Sequence, residues 1–103
     1  MREAGRAAFE PCRSCHALEP GAAVLAGPNL AGLIGRPVAG AHDYDYSPAL
    51  RRARAAGLVW DRTRLERFLE DPEAMFPGMW MSYPGIEDPE ERRALVGYVA
   101  QGG

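Results

Sequence analysis

The two cysteines of the chain lie three positions apart in the segment Cys12-Arg13-Ser14-Cys15-His16. Two thiols at this spacing, on one turn of backbone, can each add to one of the two neighbouring vinyl groups of a haem. The histidine that follows then projects its imidazole at the iron. The pattern C-x-x-C-H therefore predicts covalent haem attachment through Cys12 and Cys15, with His16 as an axial ligand.

Three other kinds of site can be built from two cysteines: a redox-active dithiol, half a zinc site and a simple disulfide. A zinc site needs further Cys or His ligands at matched spacing, and His42 is the one that remains. A thioredoxin-like dithiol belongs at the start of a helix that follows a strand. We find no run of β-branched and aromatic residues that predicts a strand, so haem attachment is the favoured interpretation.

Length and composition fit a small domain completed by a prosthetic group. The 103 residues are expected to form one domain, 1–103, in which 12 Gly and 9 Pro imply many turns and few long elements. A buried prosthetic group would supply the core that such a chain lacks. The net charge is −2 and all 12 basic residues are Arg, which argues against a nucleic-acid partner.

No apolar run approaches the length of a membrane span, and the first ten residues lack the apolar stretch of a secretory signal. The chain as given is therefore expected to be soluble. The sequence is also compatible with a mature form or an excised domain of a longer protein that carries a targeting segment or anchor.

Two helices are predicted in the first half of the chain. The first covers roughly residues 2–11 and places Gly5, Ala8 and Phe9 on one face. The second covers residues 48–56, with Ser47 as N-cap before a proline and a glycine at the C-terminal end.

Two more helices are predicted in the second half. Asp61 can cap the third helix, which must end before Pro72, and a loop is expected from Pro72 to Gly85. Asp88 can cap the last helix, and Glu91 completes a capping-box pattern. The apolar faces are expected to be formed by Leu65, Phe68 and Leu69 in the third helix and by Leu95, Tyr98 and Val99 in the last.

Landmarks along nearly the whole chain resemble the class I c-type cytochromes, both mitochondrial cytochrome c and bacterial cytochrome c2. They are Gly5 and Phe9 before CRSCH, then GPNLAGLIGR (27–36), Tyr44 and Tyr46, Gly57 and Trp60, LERFLEDP (65–72), PGMWM (77–81) and ERRALVGYV (91–99). The resemblance implies an all-α cytochrome c fold, with four to five helices around one covalent haem c and crossing N- and C-terminal helices.

The family pattern P-G-x-x-M implies that Met81 is the second axial ligand. Met79 is its main rival, because a Met-Trp-Met segment can offer either sulfur. Met75 is interpreted as apolar filler, and His42, beside an aspartate in a polar loop, as a surface residue. Met/His ligation implies a positive reduction potential.

Further site residues follow from the resemblance alone. The carbonyl of Pro28 is expected to orient the His16 ring, and Arg36, Tyr44, Tyr46 and Trp60 are expected around the inner haem propionate. Phe68 stands near the ligand sulfur where the mitochondrial type usually has Tyr. Met79 replaces a hydroxyl side chain.

The sequence thus predicts a one-electron carrier, not an enzyme, that works as a monomer in the periplasm or another extracytoplasmic compartment, as part of a respiratory chain. Its expected donor is a quinol-oxidising complex or a dehydrogenase, and its acceptor a terminal oxidase or reductase. The alternatives are a gas sensor or peroxidase-like domain with a labile methionine, and a haem-free helical interaction domain. The sensor or peroxidase reading lacks a distal acid–base pair.

The docking face is predicted to be more apolar than charged, because mitochondrial cytochromes c use a lysine ring there and this chain contains no lysine. The residues expected around the exposed haem edge are Arg13, Ala17, Glu73, Met79, Trp80 and Tyr83.

Overall fold

The computed structural model describes residues 2–41, 43–81 and 83–102. Within them lie five α-helices and one 3-10 helix, and the only sheet-like pairing is an isolated antiparallel bridge between Pro37 and Val59. The all-α prediction is confirmed. The elements are α1 (Arg2–Phe9), the 3-10 helix (Glu10–Cys12), α2 (Pro48–Ala55), α3 (Arg62–Glu70), α4 (Pro72–Met75) and α5 (Pro89–Gln101).

Helix α1 is shorter than predicted. It ends at Phe9 and continues as the 3-10 helix Glu10–Cys12. Pro11 explains the change, since proline has no N–H to donate to the carbonyl four residues back. Pro11 lies at the start of the 3-10 helix, where its missing N–H leaves no helical hydrogen bond unmade. This short helix ends at Cys12, the first cysteine of the motif.

Helix α4 was not predicted, because the whole stretch from Pro72 to Gly85 was expected to be a loop. Its start is encoded locally: Asp71 accepts a hydrogen bond from the backbone N–H of Ala74 at 3.2 Å, and Pro72 occupies the first helical position. The same device starts α3, where Asp61 accepts from the N–H of Arg64 at 2.6 Å, as predicted.

Two predicted caps differ in detail. Ser47 stands at the N-cap position of α2, but its side chain makes no capping hydrogen bond. Asp88 does cap α5, but its side chain accepts from the N–H of Glu90 at 3.0 Å rather than from the N–H of Glu91, which is the donor in a capping box. The capping residues therefore predicted the helix starts correctly. Which hydrogen bond each capping side chain makes depends on tertiary contacts.

The segment between the 3-10 helix and α2 is a long loop that pairs with the chain before α3. Trp60 is the centre of this pairing: its carbonyl accepts from the N–H of Gly35 at 2.7 Å and its N–H donates to Arg36 at 2.9 Å. The N–H of Val38 donates to the Leu58 carbonyl at 2.9 Å. These bonds satisfy backbone N–H and C=O groups that lie outside the helices.

Helices α1 and α5 cross at a glycine. Phe9 and Leu95 are almost fully buried at this crossing, with exposed fractions of 1% and 2%, and the Phe9 and Tyr98 rings are 5.7 Å apart. A Cβ on Gly5 would lie 2.6 Å from both the Ala94 carbonyl oxygen and the Cβ of Tyr98. Glycine is therefore required for the helices to approach this closely.

Gly5→Ala is expected to lower the free energy of unfolding by about 1–3 kcal/mol, because the added methyl would meet backbone rather than a flexible side chain. Gly97→Ala is the matched control. A Cβ there meets no atom within 4 Å in the described part of the chain, so alanine should stabilise α5 by up to about 1 kcal/mol. Urea unfolding measures both, and equal effects would contradict the crossing argument.

Candidate haem site

One largely apolar cavity of about 410 Å³ lies between the long loop, the segment after α4, and the inner faces of α3 and α5. That volume is within the range of small-molecule and cofactor sites. It brings together every residue that the sequence predicted to hold the haem. These are Cys12, Cys15, His16, Pro28, Arg36, Tyr44, Tyr46, Trp60, Phe68 and Met81. Arg13, Ala17 and Glu73, expected around the haem edge, do not line the cavity.

The cysteine segment forms a turn at the mouth of the cavity. The N–H groups of Cys15 and His16 both donate to the carbonyl of Cys12, at 3.1 and 2.9 Å. Cys12 is half-buried and Cys15 exposed, and both thiols are unpaired. Burial and the neighbouring Cys15 raise the pKa of Cys12, which keeps this thiol protonated and slows disulfide formation.

The His16 ring is held on its Nδ1 side. Nδ1 lies 2.8 Å from the Pro28 carbonyl and donates to it, which leaves Nε2 without a proton and available to a metal. Gly27 packs against the ring so closely that any Cβ there would collide with the imidazole. Burial lowers the pKa of His16 despite this hydrogen bond, and so favours the neutral form that binds iron.

Two methionines of the segment after α4 line the cavity. Met81 is half-buried, and Met79 is buried with 8% exposure. Met79 was expected among the residues around the haem edge; it does line the cavity, and its side chain is buried rather than exposed. Met75 is half-buried and does not line the cavity. His42, the other alternative ligand, lies outside the described residues.

The polar side chains of the long loop are tied to backbone. The Nη2 of Arg36 donates to the carbonyls of Asn29 and Ala31 at 2.9 and 2.6 Å, and the hydroxyl of Tyr44 donates to Ala26 at 2.9 Å. The hydroxyl of Tyr46 accepts from the N–H of Ala41 at 3.2 Å.

Ser47 is the site residue that sequence reasoning missed. It lines the cavity, is 1% exposed, and its hydroxyl has no hydrogen-bond partner among the described residues. A buried hydroxyl normally has a partner, so this one fits a cofactor that brings its own polar group. The Ser-Pro pair was interpreted as a helix cap, and no other signal in the sequence pointed inward.

Trp60 and Phe68 form an aromatic part of the cavity wall, and Phe76 packs against both rings without lining the cavity. Trp60 makes edge-to-face contacts with Phe68 and Phe76, with ring centroids 5.3 and 6.3 Å apart. No hydroxyl is contributed by Phe68. The wall is therefore apolar and rigid, which keeps the local dielectric constant low.

Arg92 fixes the end of the methionine-bearing segment. This α5 residue is 8% exposed, and its Nη1 donates to the carbonyls of Ile86 and Glu87 at 2.7 and 2.9 Å. Its Nε lies 3.8 Å from a Glu66 carboxylate oxygen without making a hydrogen bond. The guanidinium thus acts chiefly on backbone.

The site fits a covalent haem. Two thiols, a neutral imidazole and thioethers surround an apolar cavity, with an unpartnered hydroxyl and the Arg36 and tyrosine side chains along the same lining. Imidazole and thioether together are the axial ligands of the cytochrome c type.

Comparison with known proteins agrees with this description. A scan against models of protein families finds no match. The chain is 44% identical over 95 residues to cytochrome c2 of Agrobacterium tumefaciens (strain II Chrys), covering 92% of this chain and 86% of the relative. It is 38% identical over 99 residues to cytochrome c-550 of Nitrobacter winogradskyi, covering 96% and 88%. Its structure is similar to that of cytochrome cH from Methylobacterium extorquens, with a TM-score of 0.86, 37% identity and 97% of each chain covered.

Fold, cavity and relatives together place the chain in a family: it belongs to the class I c-type cytochromes. It is a haem c electron carrier, with one haem held covalently through the C-x-x-C-H motif at Cys12 and Cys15, and it transfers electrons to redox partners. Within the described part of the chain, no helix is long and apolar enough to cross a membrane.

Proposed function

We propose that this carrier uses His16 and Met81 as the two axial ligands of its haem iron and moves one electron at a time without bond chemistry. The observation that carries the proposal is the lining of one apolar cavity by both side chains. An iron that keeps two strong ligands in both oxidation states needs little rearrangement when it gains or loses an electron.

The haem supplies a one-electron change between ferrous and ferric iron. The Pro28 carbonyl holds His16 in one orientation and in the tautomer that leaves Nε2 free. The thioether of Met81 favours ferrous iron relative to a second imidazole, and the apolar wall of Trp60 and Phe68 disfavours the additional charge of ferric haem. Both effects raise the reduction potential, and we expect a positive value.

The inner propionate of the haem is assigned to Arg36, Tyr44, Tyr46 and Trp60, as the family resemblance implies. To this set we add Ser47, whose buried hydroxyl is without a partner in the described chain. Donors around a buried carboxylate offset the cost of removing it from water.

The exchange partners are proposed from the resemblance to the class I c-type cytochromes. It implies that the protein takes electrons from a quinol-oxidising complex or a dehydrogenase and passes them to a terminal oxidase or reductase. We propose that it does so as a monomer in the periplasm, either as a free carrier or as a domain of an anchored protein. Residues 1–103 would form one cytochrome domain.

An oxidised-minus-reduced spectrum with potentiometric titration tests the ligation. We expect the weak far-red band of an iron–thioether bond in the ferric protein and a positive potential. We also expect slow carbon monoxide binding to the ferrous protein at neutral pH, because both axial positions are filled. A bis-imidazole spectrum would exclude Met81. Rapid carbon monoxide binding would favour the sensor reading.

The docking face is proposed to be the mouth of the cavity. Its exposed lining residues carry no charge: they are Pro11, Cys15, Ala26, Pro37 and Trp80. The two charged side chains that were expected at the haem edge, Arg13 and Glu73, both contact other groups of the protein. The Arg13 guanidinium contacts Tyr98, Glu10 and the Phe9 ring, and the Glu73 carboxylate accepts from the Gly78 N–H at 2.8 Å.

Trp80→Ala is expected to slow oxidation of the reduced protein by membranes containing a bacterial terminal oxidase by about tenfold, because its indole is 57% exposed at this mouth. The native rate should change by less than about threefold between low and physiological ionic strength. Leu25→Ala is the control, since Leu25 is 46% exposed and does not line the cavity. A rate that falls steeply with salt would contradict an uncharged docking face.

A further inference from the structure

The segment Met79-Trp80-Met81 alternates in burial. Met79 is buried, Trp80 is exposed and Met81 is half-buried. Both thioethers line the haem cavity, and the indole between them lines it as well while also reaching solvent.

The segment is anchored on both sides of the methionine pair. Before it, the Met79 N–H donates to the Phe76 carbonyl at 3.2 Å. After it, the Ile86 N–H donates to the Leu69 carbonyl at 2.7 Å. These bonds attach both ends of the stretch that carries the two methionines to neighbouring backbone.

The flexibility of a methionine side chain would also allow Met79 to approach the iron. Its unbranched side chain has three rotatable bonds and a polarisable sulfur that adapts to irregular space, so rotamer changes alone can shift the sulfur. Met79 is the other thioether lining the cavity within the described chain, since Met75 lies outside the lining, and the sequence contains no lysine that could supply an amine ligand.

We propose that Met79 is a reserve axial ligand. When the bond between iron and the Met81 sulfur breaks, the Met79 sulfur forms the corresponding bond on the same side of the haem. Both thioethers are neutral, so the exchange transfers no proton and changes no oxidation state. The iron then stays closed to external ligands when Met81 dissociates. The inference rests on the proposed His16/Met81 ligation.

The test uses haem-loaded Met81→Ala, Met79→Ala and the double variant, with Met75→Ala as a matched control. The readouts are the far-red thioether band, carbon monoxide binding to the ferrous protein, and a ligand methyl proton signal shifted by the haem ring current. Met81→Ala is expected to keep the band and a shifted methyl. The double variant is expected to lose both and to bind carbon monoxide about 100-fold faster than Met81→Ala, because Met79 would close the site for about 99% of the time.

A Met81→Ala variant that behaves like the double variant would overturn the reserve ligand while leaving the proposed function intact. Loss of the band in Met79→Ala alone would overturn both, because Met79 would then be the primary ligand. A native protein without the band would point to failure of the proposed function itself. If Met81→Ala does not fold, Met81→Leu keeps the side-chain volume and gives the same comparison with a Met79→Ala/Met81→Leu pair.

Discussion

The variant with both Cys12 and Cys15 replaced by alanine will carry no covalently attached haem. Each thioether bond needs one of these sulfurs, and Cys12 and Cys15 are the only cysteines in the chain. A denaturing gel stained for haem should show full loss for the double variant. Each single variant should keep some stain, because one thioether remains possible.

The loss should extend to the fold. The lining of the cavity includes core residues such as Phe9, Leu95 and Val99, and these side chains lose a packing partner when haem is absent. A group that binds only the folded chain stabilises it by mass action, so helical circular dichroism should fall as well. Ser14→Ala, an exposed change inside the same motif, should leave stain and helicity unchanged. Persistent stain in the double variant would disprove the attachment.

Replacing Arg92 with leucine is expected to lower the free energy of unfolding by about 2–3 kcal/mol, because the carbonyls of Ile86 and Glu87 lose a charged donor. Ile86 is buried, so water cannot easily replace that donor. Glu66→Gln is the matched control. The Glu66 carboxylate lies 3.8 Å from Arg92 and is partly exposed, so its loss should cost less than about 1 kcal/mol.

Arg92→Leu should also weaken the methionine side of the haem before the whole protein unfolds. We expect the far-red band to disappear at a lower urea concentration than the helical signal, since the segment carrying Met81 ends at the carbonyls that Arg92 holds. Arg92→Lys should recover only part of the stability, because a single ammonium lacks the planar fork of the guanidinium. Unfolding within 1 kcal/mol of the native protein for Arg92→Leu would count against this anchoring role.

The sequence was most informative where the determining chemistry is local. The spacing of CRSCH depends on one turn of backbone, and the same turn appears in the hydrogen bonds from Cys15 and His16 to Cys12. Asp61 and Asp88 cap the helices that they were expected to start because a cap needs only its own next few residues.

Local signals failed where a side chain had two possible uses. Ser47 could cap α2 or face the cavity, and it faces the cavity. Met79 was expected around the haem edge, and only the structure shows that its side chain is buried while it lines the cavity. Helix α4 was missed because proline, glycine and methionine dominate the residues after Asp71, although the Asp71 cap and Pro72 were sufficient to start a turn.

The sequence by itself therefore determined the family, the covalent haem, and four of the helices, with the apolar faces of α1, α3 and α5. All of these depend on residue types at short, fixed spacings. Only the tertiary structure decided that Gly5 meets Ala94 and Tyr98, that Arg92 holds the carbonyls of Ile86 and Glu87, and that both methionines line the cavity. Those contacts join residues from different elements, and their geometry depends on how the helices pack together.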